Sequence, residues 1–172
     1  MSPTHTISVE AQPHSVEAER TVIGALLIDP DAIIKVSDLL TAGDFYDPTH
    51  RIIYQAIESL YQQHEPIDFL TVSTKLTDHK KVQDIGGSAF LAELAANVPT
   101  SSHIYQYAQI VKTKALHRKI IEAGQNIVGL GHDVGHSIPE LLDEVEKTVF
   151  NITNTFLKEK FVHIREILDA RY

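Results

Sequence analysis

Histidines are the first side chains to test for chemistry, because the chain carries 10 of them and no cysteine. His132 and His136 are four positions apart, a spacing that on a helix places both imidazoles on one face, as a metal site requires. Glycines at 131 and 135 interrupt this pair, however, and the spacing fixes no third ligand. We therefore interpret the pair as part of a turn and predict no metal site.

His132 and Asp133 also form the His-Asp pair that metal-dependent phosphohydrolases use. Such chemistry needs further His and Asp ligands on neighbouring helices. The remaining candidates, His103 and His117, lie on one predicted helix without a partner aspartate. A phosphohydrolase is therefore the least favoured of three functional hypotheses, and metal analysis of the purified protein would test it.

The glycine-rich stretch 129–137 resembles a phosphate-binding loop only superficially. That motif requires Gly, four residues and then Gly-Lys-Ser/Thr after a strand. Here five residues separate Gly129 from Gly135, His136 replaces the lysine, and a helical pattern precedes the stretch. Nor does any serine lie in a nucleophile elbow. We predict no catalytic residue, no bound cofactor and no enzymatic activity for this chain alone.

The same stretch separates two long amphipathic segments, which the pattern predicts to be the arms of a helical hairpin. Arm one covers 101–130 and arm two covers 138–157. Arm two keeps an apolar heptad stripe, as helices of coiled coils do. Arm one carries two shorter heptad stripes that are offset from each other by one residue. At 1.5 Å per residue arm one would extend roughly 40 Å, so part of it should project and pair with another copy. The predicted oligomer interface consists of Ile104, Ala108, Val111, Leu116, Ile120, Ile138, Leu142, Val145, Val149, Ile152 and Phe156.

The part of the chain before the hairpin is predicted to be a compact orthogonal head of short helices at 15–100. Helix starts are indicated by Ser15 and by the Asp-Pro pairs at 29–30 and 47–48, the second helix running to about residue 40. Asp68 and Ser88 are predicted to cap the fourth and fifth helices. No segment shows sustained period-two alternation, so the fold class is all-α. Residues 1–14 are polar and contain two prolines, which predicts a disordered leader.

The tail, 158–172, is predicted to be a charged linker followed by a short helix from His163 to Tyr172. A helix of this length is marginal alone in water. Its apolar face should therefore dock on another subunit or another domain. The linker-docking residues are Ile164, Ile167 and Leu168.

Charge and hydropathy restrict the partners. With 15 basic against 23 acidic residues the net charge is −8, so the whole chain would repel a DNA duplex. Arm one is locally basic and arm two acidic, so opposite arms attract within one hairpin or between two chains. No apolar run reaches the ~18 residues that span a bilayer. The N-terminus carries no signal peptide, and the lack of cysteine fits the cytosol.

A series of short motifs resembles the N-terminal part of the bacterial replicative DNA helicase of the DnaB type. The individual motifs are weak, but their order and spacing together are specific, and they cover roughly residues 13–172. In order, the motifs are Pro13-His14-Ser15-Val16-Glu17-Ala18-Glu19, Val22-Ile23-Gly24-Ala25-Leu26-Leu27, Asp44-Phe45-Tyr46, His50-Arg51, Ile53-Tyr54, Pro66-Ile67-Asp68, Gly86-Gly87, Leu91-Ala92-Glu93-Leu94 and Tyr107-Ala108-Gln109-Ile110-Val111.

The resemblance implies an N-terminal domain with its linker helix, taken from a larger helicase. Such domains pair through their hairpins, and three pairs form a collar on a hexameric ring at the cytoplasmic replication fork. The linker helix packs on the neighbouring subunit's ATPase domain. ATP, magnesium and unwinding belong to a RecA-like C-terminal domain absent here, which would also make most of the DNA contacts.

The resemblance further implies that the collar recruits the C-terminal domain of primase and, in some bacteria, a helicase loader. Primase-binding candidates carried over from the family are Asp68, Ile121, Ile127 and Leu141. Each also has an ordinary structural role, Asp68 as a helix cap and the others in the hairpin core. A stand-alone phage or plasmid adaptor that mimics the collar is the second hypothesis, which a stop codon directly after Tyr172 in the genome would favour.

Overall fold

The computed structural model describes residues 11–98 and 100–169, with side-chain surroundings up to residue 154. The described residues form helices and turns without any strand, which confirms the all-α prediction. Two 3-10 helices, Pro30–Lys35 and Ala42–Asp44, connect the first two α-helices. The α-helices are α1 Val16–Ile28, α2 Pro48–Gln62, α3 Phe69–Asp78, α4 Ser88–Ala96, α5 Ile104–His132 and α6 Ile138–Asp169.

Local capping explains where the first helices begin. The Ser15 side chain accepts a hydrogen bond from a backbone N–H of α1, and Asp47 caps α2 directly before Pro48 at the first helical position. Asp68 and Thr71 form a reciprocal capping box at the start of α3. These three helix starts agree with the sequence prediction, because capping depends only on residues close in sequence.

Two predictions for the head are wrong. The second helix is a 3-10 helix, Pro30–Lys35, followed by turns rather than an α-helix to residue 40. Adjacent β-branched residues lower the α-helical propensity of this segment, and the short element still buries Ala32 and Ile33. The N-cap of α4 is Gly87, whose φ of 87° favours glycine, so Ser88 is the first helical residue and not the cap.

The bounds of the hairpin arms differ from the prediction: α5 begins three residues later than arm one and ends two residues later, and α6 extends beyond residue 157. Helix α5 continues through Gly129 and Gly131 to His132, because a helical glycine costs only about 1 kcal/mol relative to alanine. Helix α6 continues through 158–160, where a linker was expected, because lysine and glutamate are good helix formers. With 29 residues α5 is about 43 Å long, and the turn at the tip covers only 133–137.

Helix α1 lies at the centre of the head and contacts α2, α4 and the first half of α5. Its residues Val22, Ile23 and Leu26 are completely buried. A side chain at Gly24 would collide with the backbone oxygen of Leu94, so glycine allows α1 and α4 to approach closely. None of the helices within the described ranges combines the length and apolar character needed to span a bilayer.

Candidate interaction surface on the helical hairpin

The first half of α5 belongs to the core of the head. Ile104, Ala108 and Val111 are at most 1% exposed and pack in the same hydrophobic cluster as α1. A residue covered by its own chain is unable to line an exposed seam between copies. These three predicted oligomer-interface residues are therefore core residues, and that part of the prediction is wrong.

From Leu116 onward α5 pairs with α6 along an inner seam, which we define as the apolar face between the two arms. On α5 the seam includes Leu116, which is half-buried, and Ala123, which is 6% exposed. On α6 it includes the half-buried Leu141, Val145 and Ile152. These spacings place each set on one helix face. The seam holds the arms together within one chain.

Helix α6 also carries an outer apolar face, which we define as Ile138, Leu142 and Val149. These side chains are 68%, 62% and 49% exposed, and at 100° per residue they lie within about 40° of one another. Phe150, at 61% exposed, is on the same arm but about 80–120° around the helix from this face. Exposed apolar residues grouped in this way are typical of an interaction surface.

Helix α5 presents a second exposed row on its own outer side. Ile110, Ile121 and Val128 are each at least 38% exposed, and Ile120 is 54% exposed. Of these, the predicted interface contains only Ile120. The side chains of Phe156 and of the linker-docking residues Ile164, Ile167 and Leu168 lie outside the described surroundings.

The predicted heptad stripe thus divides into three environments, and only part of it faces solvent. Ile120, Ile138, Leu142 and Val149 remain available for contact with another molecule. Sequence reasoning missed Phe150, because it lies off the stripe and no heptad signal marks it.

A buried ion pair joins the root of the hairpin to the head. The Lys112 Nζ atom of α5 lies 3.1 Å from the Asp44 carboxylate, and both side chains are largely buried. The same carboxylate accepts a hydrogen bond of 2.8 Å from the backbone N–H of Thr41. Breaking a buried pair leaves an uncompensated charge, so this contact opposes movement of α5 against the head.

Arg118 adds a second connection one and a half turns further along α5. Its guanidinium donates to the backbone oxygens of Asp44, at 2.6 Å, and of Pro13, at 2.8 Å. Burial lowers the pKa of Arg118, and the nearby carboxylates of Glu19 and Asp44 oppose that shift. The ring of His14 stacks on Tyr46 at 4.3 Å between centroids.

These contacts correct one boundary of the sequence prediction. The end of the expected disordered leader, Pro13 and His14, packs against the joint between head and hairpin. Residues 1–10 of that leader lie outside the described residues.

Glu19 ties α1 to the start of α2. Its carboxylate is 1% exposed and accepts hydrogen bonds from the backbone N–H groups of Tyr46, at 2.7 Å, and Asp47, at 3.2 Å. It also accepts from the Nδ1 of the buried His50, at 2.8 Å. The sequence shows Glu19 only as an acidic residue in the first turn of α1, and its partners 27 to 31 positions away carry no local signal.

The four primase-binding candidates lie in different surroundings. Asp68 caps α3, and the hydrogen bond from the Thr71 backbone N–H lowers its pKa. Ile121 is exposed on the outer side of α5. Ile127 and Leu141 are half-buried on the two arms. Asp68 therefore lies on the head and the other three on the hairpin, where only Ile121 is exposed.

The histidines at the hairpin tip have a structural explanation. His132 ends α5, and the exposed His136 lies 2.8 Å from the Asp133 carboxylate. That carboxylate also accepts from the Gly135 backbone N–H, which lowers the pKa of Asp133. Within the described residues no group of three or more His, Cys, Asp or Glu side chains could hold a metal ion.

Comparison with known proteins agrees with this architecture. Residues 11–113 match the family described as DnaB-like helicase N terminal domain. The chain is 34% identical over 160 residues to the replicative DNA helicase DnaB of Geobacillus stearothermophilus, and the match covers 93% of this chain and 35% of that protein. The chain thus spans about a third of the length of this relative.

Two solved structures share the fold. The N-terminal domain of DnaB helicase from Mycobacterium tuberculosis aligns with a TM-score of 0.78 and 36% identity, covering 82% of this chain and 99% of that one. A DnaB-like replicative helicase, described together with its interactions with primase, aligns with a TM-score of 0.64 and 27% identity. That alignment covers 78% of this chain and 31% of the other.

Proposed function

This chain belongs to the DnaB-like helicase N-terminal domain family, and we propose that it is the assembly and docking module of a hexameric replicative helicase. In this proposal the module links copies of the helicase to one another and to primase, and performs no catalysis itself. The ATPase motor, with ATP and magnesium, lies in a C-terminal RecA-like domain of the whole protein, which unwinds DNA at the cytoplasmic replication fork.

The outer apolar face of α6 is the observation that supports self-association most directly. Fully burying a large aliphatic side chain stabilises a complex by about 1.5–3 kcal/mol, and each copy offers Ile138, Leu142 and Val149 for such burial. A two-fold arrangement would use this face twice. Loss of translational freedom offsets part of the gain, so we expect a reversible dimer for the isolated chain.

The joint between head and hairpin supports the same proposal. Lys112 and Arg118 connect α5 to the head through Asp44, so the hairpin is held in one orientation rather than swinging freely. A held hairpin loses less conformational freedom on pairing, which favours assembly. Three such pairs would give the collar of a hexamer.

Primase is the partner proposed for the docking role. The primase interaction named for the DnaB-like structure motivates the proposal, and Ile121 supports it because its side chain is exposed and available. Ile127 and Leu141 are half-buried and would act by shaping the hairpin. A helicase loader and the neighbouring subunit's motor, docked through 163–172, complete the proposed partners.

A binding experiment with a matched control tests this function. The chain is titrated with the isolated C-terminal domain of the cognate primase, using wild type, Ile121→Glu and Ile34→Glu. Ile34 is 66% exposed on the head, so its variant carries the same change in charge and polarity away from the hairpin. We expect binding to wild type and Ile34→Glu, and weaker binding to Ile121→Glu. Failure of wild type to bind primase at all would contradict the docking role.

A further inference from the structure

A small cleft on the head, between α2 and α3, lies apart from the hairpin. It has a volume of about 290 Å³, and no residue of α5 or α6 lines it. Its floor is formed by Ile52, Ala56 and Leu76, and its rim by Lys75, His79 and Lys81. An apolar floor within a cationic rim suits an apolar group flanked by negative charges.

The charge of the cleft is opposite to that of the chain. The net charge of the protein is −8, yet no carboxylate lines the cleft. Lys81 is paired with Asp84 at 3.3 Å, with both side chains about half exposed, and Lys75 donates to the Gln63 side chain at 2.7 Å. Exposed pairs of this kind contribute less than about 1 kcal/mol, so an incoming carboxylate can replace them.

Size and composition identify the occupant. The volume lies at the lower limit of the roughly 300–1,000 Å³ typical of small-molecule sites, so it fits one or two side chains. Sites for single-stranded nucleic acid use aromatic side chains on which bases stack, and no Phe, Tyr or Trp lines this cleft, whose single ring is that of His79 at the rim. The features therefore favour a peptide over a nucleic acid.

We propose that this cleft binds a short acidic peptide segment of a partner protein. One bulky apolar side chain of the peptide occupies the floor over Ala56 and Leu76, and flanking carboxylates pair with Lys75 and Lys81. The contact is independent of the hairpin, so the head carries a docking site separate from the assembly surface.

A labelled model peptide tests the proposal on the whole chain. The probe is fluorescein-Asp-Asp-Leu-Asp-Asp-Phe, followed by fluorescence anisotropy at low and at physiological salt. We expect a dissociation constant on the order of 0.1 mM, weakened by salt because the rim charges are exposed. A peptide of equal charge, with serine in place of Leu and Phe, should bind at least tenfold more weakly.

Variants of the rim and floor locate the site. Lys75→Glu combined with Lys81→Glu should weaken binding at least tenfold, and Ala56→Leu should weaken it by filling the floor without changing charge. The matched control, Lys114→Glu combined with Lys147→Glu, makes the same charge change on the hairpin and should bind like wild type. Circular dichroism checks that every variant is folded.

Several outcomes would overturn the proposal. One is that wild type shows no binding at 1 mM peptide. Another is that the rim variant and the hairpin control lose peptide affinity equally. Tighter binding of a 12-nucleotide oligothymidylate that the rim variant abolishes would assign the cleft to nucleic acid. If the rim variant instead abolishes self-association in sedimentation and leaves peptide binding unchanged, the occupant is a second copy of the chain.

Discussion

Replacing Glu19 by glutamine tests the buried network that joins α1 to α2. The wild-type carboxylate accepts from the backbone N–H groups of Tyr46 and Asp47 and from His50. Glutamine keeps one acceptor oxygen but turns an NH₂ group toward the remaining donors. Because hydrogen bonds to a charged group contribute about 1.5–3 kcal/mol each, we expect the free energy of unfolding to fall by about 3 kcal/mol.

The assay is thermal unfolding followed by circular dichroism at neutral pH. For a chain of this size each kcal/mol lost from the free energy of unfolding lowers Tm by roughly 2–4 °C, so Glu19→Gln should lower Tm by about 6–12 °C. Glu17→Gln is the matched control, because Glu17 is exposed in the same first turn of α1 and should cost less than about 1 kcal/mol. If the two variants unfold within about 0.5 kcal/mol of each other, the buried network does not stabilise the head as argued.

Substitutions at three further residues test the cap of α3, the buried ion pair and the buried carboxyl group of α2. Asp68→Ala should lower the free energy of unfolding, measured by chemical denaturation, by about 1 kcal/mol because it removes the cap of α3. Asp68→Asn should stay near wild type because asparagine also caps helices. An equal loss of stability in both variants would refute the capping role. Lys112→Met should lower the free energy of unfolding by about 3 kcal/mol in the same assay, because it leaves the Asp44 carboxylate buried without its cation. An unchanged free energy of unfolding would show that this ion pair does not stabilise the joint between head and hairpin. Burial raises the pKa of Glu58 above its ordinary 4.5, so the folded state binds a proton more tightly than the unfolded state and stability falls as pH rises through that window. The Glu58→Gln variant should lack this decrease as pH rises above about 4.5, and parallel stability profiles for the two proteins would contradict the assignment.

Local signals in the sequence account for much of the head. The caps Ser15, Asp47 and Asp68 act on residues two or three positions away, so the starts of α1, α2 and α3 could be predicted. The type of the element Pro30–Lys35 was not predicted, because its β-branched residues only weaken an α-helix and the packing of the segment against α1 decides which helix forms.

The candidate interaction surface was only partly predictable, for a different reason. A heptad stripe shows that a helix buries one face, but not whether the cover is its own chain or another copy. Ile104 and Ala108 therefore have the same spacing as Leu142, although the first two lie in the core of the head and the third is exposed. The contacts of Glu19 and Lys112 cross 31 and 68 positions of sequence, which no local pattern encodes.

Molar mass by light scattering across a dilution series tests self-association most directly. If the outer apolar face of α6 pairs two copies, the mass should approach twice the monomer's 19.2 kDa at high concentration and fall toward 19.2 kDa on dilution. Leu142→Glu should stay monomeric throughout, while Ile34→Glu should follow wild type. A wild-type mass of 19.2 kDa at every concentration would contradict the central claim that the hairpin joins copies of this chain.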